Sequence, residues 1–182
     1  MRLPNLVTLS IGALLVATLS GCVPSEPAPP QPSASFAAPY ASDEEALAAA
    51  EEAYGEYIRV ILGTYRREAT DPNPLSSVAS GDHLAELLLE FEERISDGRY
   101  ILGDESFDQV VLQRYSRDAS PYEVIAVYLC DDLSGLEIFR GDDKIGPEKP
   151  LSPMTMQIVF DFDPDSKRLL VSARDIWNTD AC

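Results

Sequence analysis

The sequence predicts an α+β fold, helices packed on one side of a curved antiparallel sheet, and three observations carry that prediction. Between residues 42 and 97 apolar side chains recur at three- and four-residue steps, the spacing of helices with one buried face. After Gly98 the period drops to two, and β-branched and aromatic runs alternate with Gly, Pro, Asp and Ser clusters. The two kinds of element stand in blocks instead of alternating, which favours segregated helices and an antiparallel sheet over repeated βαβ units. No internal repeat is visible, and about 140 residues suit a single core.

Ser42 with Glu45 makes the Ser-x-x-Glu pattern of a capping box, so a helix is expected from there to about residue 69. Its stripe is Leu47, Ala50, Tyr54, Ile58, Ile61 and Tyr65, with acids at its start and Arg66-Arg67 near its end to complement the helix dipole. Gly55 and Gly63 lower helix propensity by about 1 kcal/mol each and predict a bend or a close backbone approach. Asp71-Pro72-Asn73-Pro74 stops this helix, because proline lacks the backbone donor and restricts the residue before it; a short turn then runs through Val78. A second long helix is expected over residues 82–97, with Leu84, Leu87, Leu88, Phe91 and Ile95 inward and Gly98 as the residue past its end.

Strands are expected at 100–102, 107–115, 123–130, 154–163 and 168–177. In the fourth, Met154, Met156, Ile158, Phe160 and Phe162 share a face; in the fifth, Leu169, Val171, Ala173 and Trp177 do. The polar excursion between Asp131 and Pro153 holds a small hairpin turning at Arg140-Gly141-Asp142-Asp143.

Ahead of this domain stand two other segments. Arg2 and the apolar run of residues 6–19, too short to span a bilayer, read as a signal peptide. It ends in Leu19-Ser20-Gly21-Cys22, a large aliphatic residue, two small ones and a cysteine. This resembles the lipobox of bacterial lipoproteins, which implies cleavage after Gly21 and a diacylglyceryl group on the Cys22 thiol. An ordinary signal peptide with cysteine at its cleavage site, or an uncleaved anchor, is the alternative. Two acyl chains at about 0.8 kcal/mol per buried methylene hold a protein on a membrane, where one chain binds only reversibly. The expected organisation is a signal over 1–21, a lipidated, proline-rich tether over 22–41 and the folded domain over 42–182. Pro24, Pro27, Pro29, Pro30, Pro32 and Pro39 make the tether a semi-rigid spacer of up to about 3.1 Å per residue.

The formal charge is -17, and loss of residues 1–21 removes one cation, Arg2, leaving -18. Basic clusters no longer than Arg66-Arg67 or Lys167-Arg168 argue against a nucleic-acid partner, which needs cations to neutralise phosphates. The same acidity repels anionic headgroups, so attachment falls to the lipid on Cys22, with the domain facing the extracytoplasmic side. Cys130 and Cys182, the two cysteines outside the lipobox, read as a disulfide in an oxidising compartment; two free thiols or an intermolecular bond are the alternatives.

Helices first, then antiparallel strands, resembles the cone-shaped fold shared by nuclear transport factor two, ketosteroid isomerase and scytalone dehydratase. The residues that carry this are Tyr54-Gly55-Glu56-Tyr57-Ile58 on the opening helix, the second helix ending at Gly98, the strand from Val124 to Cys130 leading into Asp131-Asp132-Leu133-Ser134-Gly135, and Leu169-Leu170-Val171-Ser172-Ala173. A cystatin-like sheet with one helix is the competitor, and two long helices count against it. Active members of that fold use a carboxylate, at times with tyrosine or histidine, inside the cone mouth; no motif here matches residue by residue.

No catalytic set, metal site or cofactor is therefore assigned. His83, the single histidine, sits beside Asp82 at a helix start, where a polar residue needs no further role. Asp161-x-Asp163-x-Asp165 has the alternation of a calcium loop but lacks its glycine and glutamate, having Ser166 and Ser172 there, and reads as a hairpin turn. Arg140-Gly141-Asp142 reads as a turn, not an adhesion tripeptide. Tyr54, Tyr57 and Tyr65 could line a pocket with Trp177, though helical spacing favours core packing. The expectation is a membrane-anchored, non-enzymatic lipoprotein domain that binds a ligand or envelope protein. A small acid/base enzyme and a subunit of a secretion or conjugation assembly are the alternatives.

Overall fold

Ser42 caps the first helix as expected: its backbone is extended (φ -139°, ψ 167°) and its Oγ accepts from the Glu45 amide at 3.2 Å. The Glu45 carboxylate returns to the amide of Ala41, one residue upstream of the usual partner, at 2.9 Å. A computed structural model describes residues 37–117, 121–146, 148–178 and Cys182, all within one compact unit, Ala34–Cys182. The expected signal peptide, Cys22 and most of the tether lie outside the described residues. No helix among the described residues is long and apolar enough to cross a membrane.

Helix α1 spans Asp43–Thr64 and buries Ala46, Ala50, Tyr54, Tyr57, Ile58, Val60 and Thr64. It ends short of the expected residue 69 because other elements take the carbonyls that would have continued it. The Tyr65 carbonyl accepts from the amide of Ile101 (2.9 Å), and those of Arg66 and Ala69 accept from the Arg94 guanidinium (3.2 and 2.6 Å). The close approach expected at its glycines is not there: a Cβ at Gly55 would make an ordinary 3.9 Å contact with Phe107, and one at Gly63 would meet nothing within 4 Å.

A 3-10 turn, Asn73–Ser77, buries Leu75 and leads into a short parallel bridge, in which the Val171 amide donates to Val78 and the Ser80 amide to Val171. Helix α2, Gly81–Asp97, closes on Gly98 in the left-handed region (φ 64°), whose amide donates to the last turn. Its inner face differs from the expected stripe. Arg94 is buried and Ile95 is 46% exposed, since the guanidinium bonds the carbonyls that follow α1 and lies over the rings of Tyr65 and Phe91.

The strands are β1 (Arg99–Leu102), β2 (Ser106–Tyr115), β3 (Ile125–Asp132), β4 (Glu137–Arg140), β5 (Asp143–Lys144), β6 (Met154–Asp163) and β7 (Arg168–Asn178). They form two antiparallel sheets, one ordered β2-β3-β6-β7 and a smaller one ordered β1-β4-β5. Two helices packed against antiparallel sheets make the α+β architecture that the sequence predicts. The core lies between α1, α2 and the inner face of the larger sheet, where Ile125, Val127, Leu129, Ile158, Phe160 and Val171 are almost wholly buried.

Strand β7 carries the main departure. Phe160 pairs with Val171 but Val159 pairs with Ala173, so Ser172 is an extra residue opposite the β6 ladder. An extra residue reverses the alternation beyond it. Leu169 and Val171 point inward as expected, whereas Ala173 and Trp177 do not share their face, and Arg174 takes the inward position opposite Ile158. Trp177, a second bulged residue, lies on the outer face against Tyr128, 4.9 Å between ring centroids. On that outer face Cys130 is bonded to Cys182, their Cα atoms 5.9 Å apart, so the last residue is fastened to the third strand.

Candidate functional site

Alternation along β3 puts Ile125, Val127 and Leu129 into the core, and the next inward position belongs to Asp131. Its side chain has no exposure to solvent. A carboxylate there is very costly unless charges and donors meet it, and three elements bring them. From α1 the Tyr54 hydroxyl donates to Asp131 Oδ2 at 2.8 Å. From β7, turned inward by the Ser172 bulge, Arg174 donates through one terminal nitrogen to Asp131 Oδ2 (2.6 Å) and to Glu105 Oε1 (2.9 Å), and through Nε to the Tyr54 hydroxyl (3.0 Å). Glu105 arrives from the β1–β2 turn, and its side chain is 6% exposed.

That turn is held by backbone crowding. Gly103 has φ +95°, and a Cβ on it would stand 2.0 Å from the Gly135 carbonyl oxygen. A Cβ on Gly135, from the β3–β4 turn, would in turn stand 2.5 Å from the Asp104 carbonyl oxygen. Only glycines allow these two turns to cross, and the crossing sets Glu105 over the end of β3.

Aromatic rings wall the network. Tyr54 meets Phe107 edge-on at 5.0 Å and stacks on Tyr57 at 5.7 Å, and the Tyr57 hydroxyl lies 2.9 Å from His83 Nε2. Burial, with the nearby Arg174 charge, lowers the His83 pKa and favours the neutral ring, whose Nε2 shares a hydrogen bond with the Tyr57 hydroxyl. Burial raises Tyr54 and Tyr57 far above the usual phenol range. It also works against charge on Arg174, but Tyr54, Glu105 and Asp131 outweigh it and keep the guanidinium protonated. Glu105 is pushed up to about 7, first by burial and then by Asp131, with Arg174 opposing. Chemically, the cluster holds a cation, two carboxyl groups and a titratable proton in a nearly dry place.

Sequence reasoning reached part of this. Tyr54 and Tyr57 do come together, Tyr54 bonded to Asp131 and stacked on Tyr57, but Trp177 is on the opposite face of the sheet and Tyr65 bonds instead to the Leu87 carbonyl and Glu90. His83 has a partner that its place at the helix start did not suggest. Glu105 and Arg174 carry no mark in the sequence, and Asp131 stands out there only as the residue after a strand. Asp131 could have been found, as a charge in phase with Ile125, Val127 and Leu129; Arg174 could not, because the bulge that aims it has no residue signature.

The other candidates fall elsewhere. The carboxylates of the Asp161 alternation do not converge: Asp161 is buried and accepts from Ser80 and from the Glu123 amide, while Asp163 closes the hairpin turn by accepting from Ser166 Oγ at 2.6 Å. Arg140-Gly141-Asp142 is a turn, tied to the end of α1 by Arg67, which bonds the Gly141 carbonyl and pairs with Asp142. A cleft of about 550 Å³ opens between α1, the 3-10 turn and the β6–β7 turn, lined by Tyr40, Ala53, Arg59, Val78, Arg168 and Leu169, away from the buried network.

No family model matches the sequence, and no curated protein does either. Among solved structures, the intermembrane space region of the chloroplast protein ARC6 is similar in fold, with a TM-score of 0.53 over 72% of this chain and 96% of that chain, at 9% identity. At that identity the likeness concerns architecture alone.

Proposed function

We propose that this protein is a lipid-anchored domain on the extracytoplasmic side of a cell membrane, serving to bind another envelope component and not to catalyse a reaction. The observation that carries the compartment is the Cys130–Cys182 bond, since such bonds persist where the surroundings are oxidising. Leu19-Ser20-Gly21-Cys22 supplies the anchor in this reading. The interior favours binding over turnover: Tyr54, Leu129, Ile158 and Phe160 are almost wholly buried and fill the core between the helices and the larger sheet. Val111 and Trp177, each more than half exposed on the outer sheet face, favour contact with a protein partner.

The test begins with Cys22→Ala. Labelling of the wild type by a palmitate analogue, lost in the variant together with sedimentation on membranes, is the expected result. Cleaved variant that still sediments with membranes removes the anchor from the proposal. For the binding half, crosslinking in cells captures one protein that Trp177→Asp no longer captures while its urea midpoint is unchanged; equal capture by both proteins refutes that surface.

One observation favours the acid/base enzyme instead: Glu105, with a pKa near neutrality beside Arg174 and Tyr54, has the poise of a proton-transfer group. A small ligand that perturbs the Tyr54, His83 and Arg174 resonances would transfer the site from surface to interior.

A further inference from the structure

Within the buried network one atom lacks a partner. Asp131 Oδ2 accepts from both Tyr54 and Arg174, but Asp131 Oδ1 is fully enclosed and receives no hydrogen bond. An orphaned carboxylate oxygen at that depth is expensive, and native interiors seldom tolerate one. The neighbour within reach is the Glu105 carboxyl, bound to the same terminal nitrogen of Arg174. An ionised Glu105 has no hydrogen to offer. A protonated one has an O–H, and its donation to Asp131 would complete the set. We propose that Glu105 and Asp131 hold one proton between them, and that its release frees the 103–106 turn from the core, making that turn a pH-operated latch on the inner end of the sheet.

Every charged or titratable group that faces the pair is consistent with a single proton. Arg174 of β7 is the one cation in contact among the described residues, so one carboxylate is neutralised and a second is not. Tyr54 and Tyr57 of α1 stay neutral, their hydroxyls pointing to Asp131 and His83. His83 of α2 stays neutral, and Glu86 and Glu90 of that helix and Asp175 of β7 add only negative potential around the tyrosine–histidine pair. A second negative charge would meet Asp131 across a short distance without water, a repulsion that only the outward swing of Glu105 relieves. Glu105 can swing because it stands on a turn, whereas Asp131 is fixed in the middle of a strand paired on both sides. The proton passes to solvent and no other group changes state. Proton and turn are thus coupled whatever the anchor or the partner proves to be.

The experiment is a titration of the full-length protein in detergent from about pH 5 to about pH 9, following glutamate side-chain carboxyl carbons and backbone amide exchange by NMR. In the wild type one glutamate titrates near neutrality, and that signal is absent in Glu105→Gln. Exchange at the amides of 103–106 accelerates across the same midpoint by more than intrinsic base catalysis supplies, and in Glu105→Gln, where a neutral amide donor replaces the acid, it does not. Asp131→Asn moves the glutamate midpoint at least about tenfold toward acid, because both its charge and its acceptor strength are reduced. No glutamate titrating above about pH 6 overturns the shared proton, as does an unmoved midpoint in Asp131→Asn, which would assign the shift to burial alone. A midpoint near neutrality with no excess exchange at the turn overturns the latch. Should Asp131→Asn not fold, Tyr54→Phe takes its place, since it leaves Glu105 equally buried but strips a donor from Asp131. A glutamate midpoint moved away from acid then supports the shared proton and an unmoved one overturns it, while the wild-type and Glu105→Gln exchange data decide the latch.

Discussion

Replacing Arg174 with methionine tests the buried network most severely. Methionine keeps the length and apolar stem of the side chain but removes three hydrogen bonds and the cation that faces Asp131 and Glu105. Asp131 Oδ2, fully enclosed, is left with one donor, the Tyr54 hydroxyl. Taking one partner from a buried ion pair costs about 3–5 kcal/mol, because the remaining charge stays desolvated. The expected loss is at the upper part of that range at pH 7 and smaller near pH 5, where Glu105 holds its proton. Adding Asp131→Asn to Arg174→Met removes the stranded charge while its amide can donate to Glu105, so the double variant regains about 2 kcal/mol over the single one. Urea denaturation followed by circular dichroism reads both differences. An Arg174→Met variant within about 1 kcal/mol of wild type, or a double variant no more stable than the single one, would refute the account of the network as a coupled unit.

Other outcomes follow from neighbouring features. Glu105 has a folded-state pKa of about 7, above its unfolded value, so the native state binds the extra proton; stability is highest below about pH 4.5 on this account and declines as pH rises to about 7, by up to about 3 kcal/mol, a slope that Glu105→Gln abolishes in urea titrations. Gly103→Ala forces a Cβ against the Gly135 carbonyl at a positive φ and destabilises by about 2–3 kcal/mol, seen as a lower melting temperature; an unchanged one shows that the turns can part freely. Cys182→Ser opens a closure of 52 residues, for which chain entropy sets an upper limit of about 4 kcal/mol, and reductant applied to the wild type reproduces the shift in urea midpoint. Gly55→Ala meets only an ordinary contact with Phe107 and stabilises α1 by up to about 1 kcal/mol, whereas a loss of stability there reveals a close approach.

Most of the fold was legible because its signals are local. The Ser42 cap, the proline stop, the left-handed Gly98 and the turns at Gly141 and Asp163 act within a few residues, and strands β6 and β7 begin where the alternation of side chains begins. The failures have a common form. Helix α1 stops at Thr64 because Arg94 and Ile101 take its next carbonyls, and Arg94 occupies the inward place that periodicity gave to Ile95. In each case a partner distant in the chain outweighs a local preference of a few tenths of a kcal/mol.

The candidate site was only half legible, and for the same reason. Alternation in β3 is a property of a single strand, so a charge in phase with Ile125, Val127 and Leu129 announced its own burial at Asp131. What meets that charge depends on a bulge at Ser172 and on two glycine turns crossing at Gly103 and Gly135, contacts made between segments far apart in sequence. The order of residues thus determined the elements, the acidic surface and the cysteine pair. Tertiary packing alone decided which way Arg174 points and how near Glu105 comes to Asp131, because one added residue in a ladder or one close backbone crossing redirects a side chain without changing the pattern along the chain.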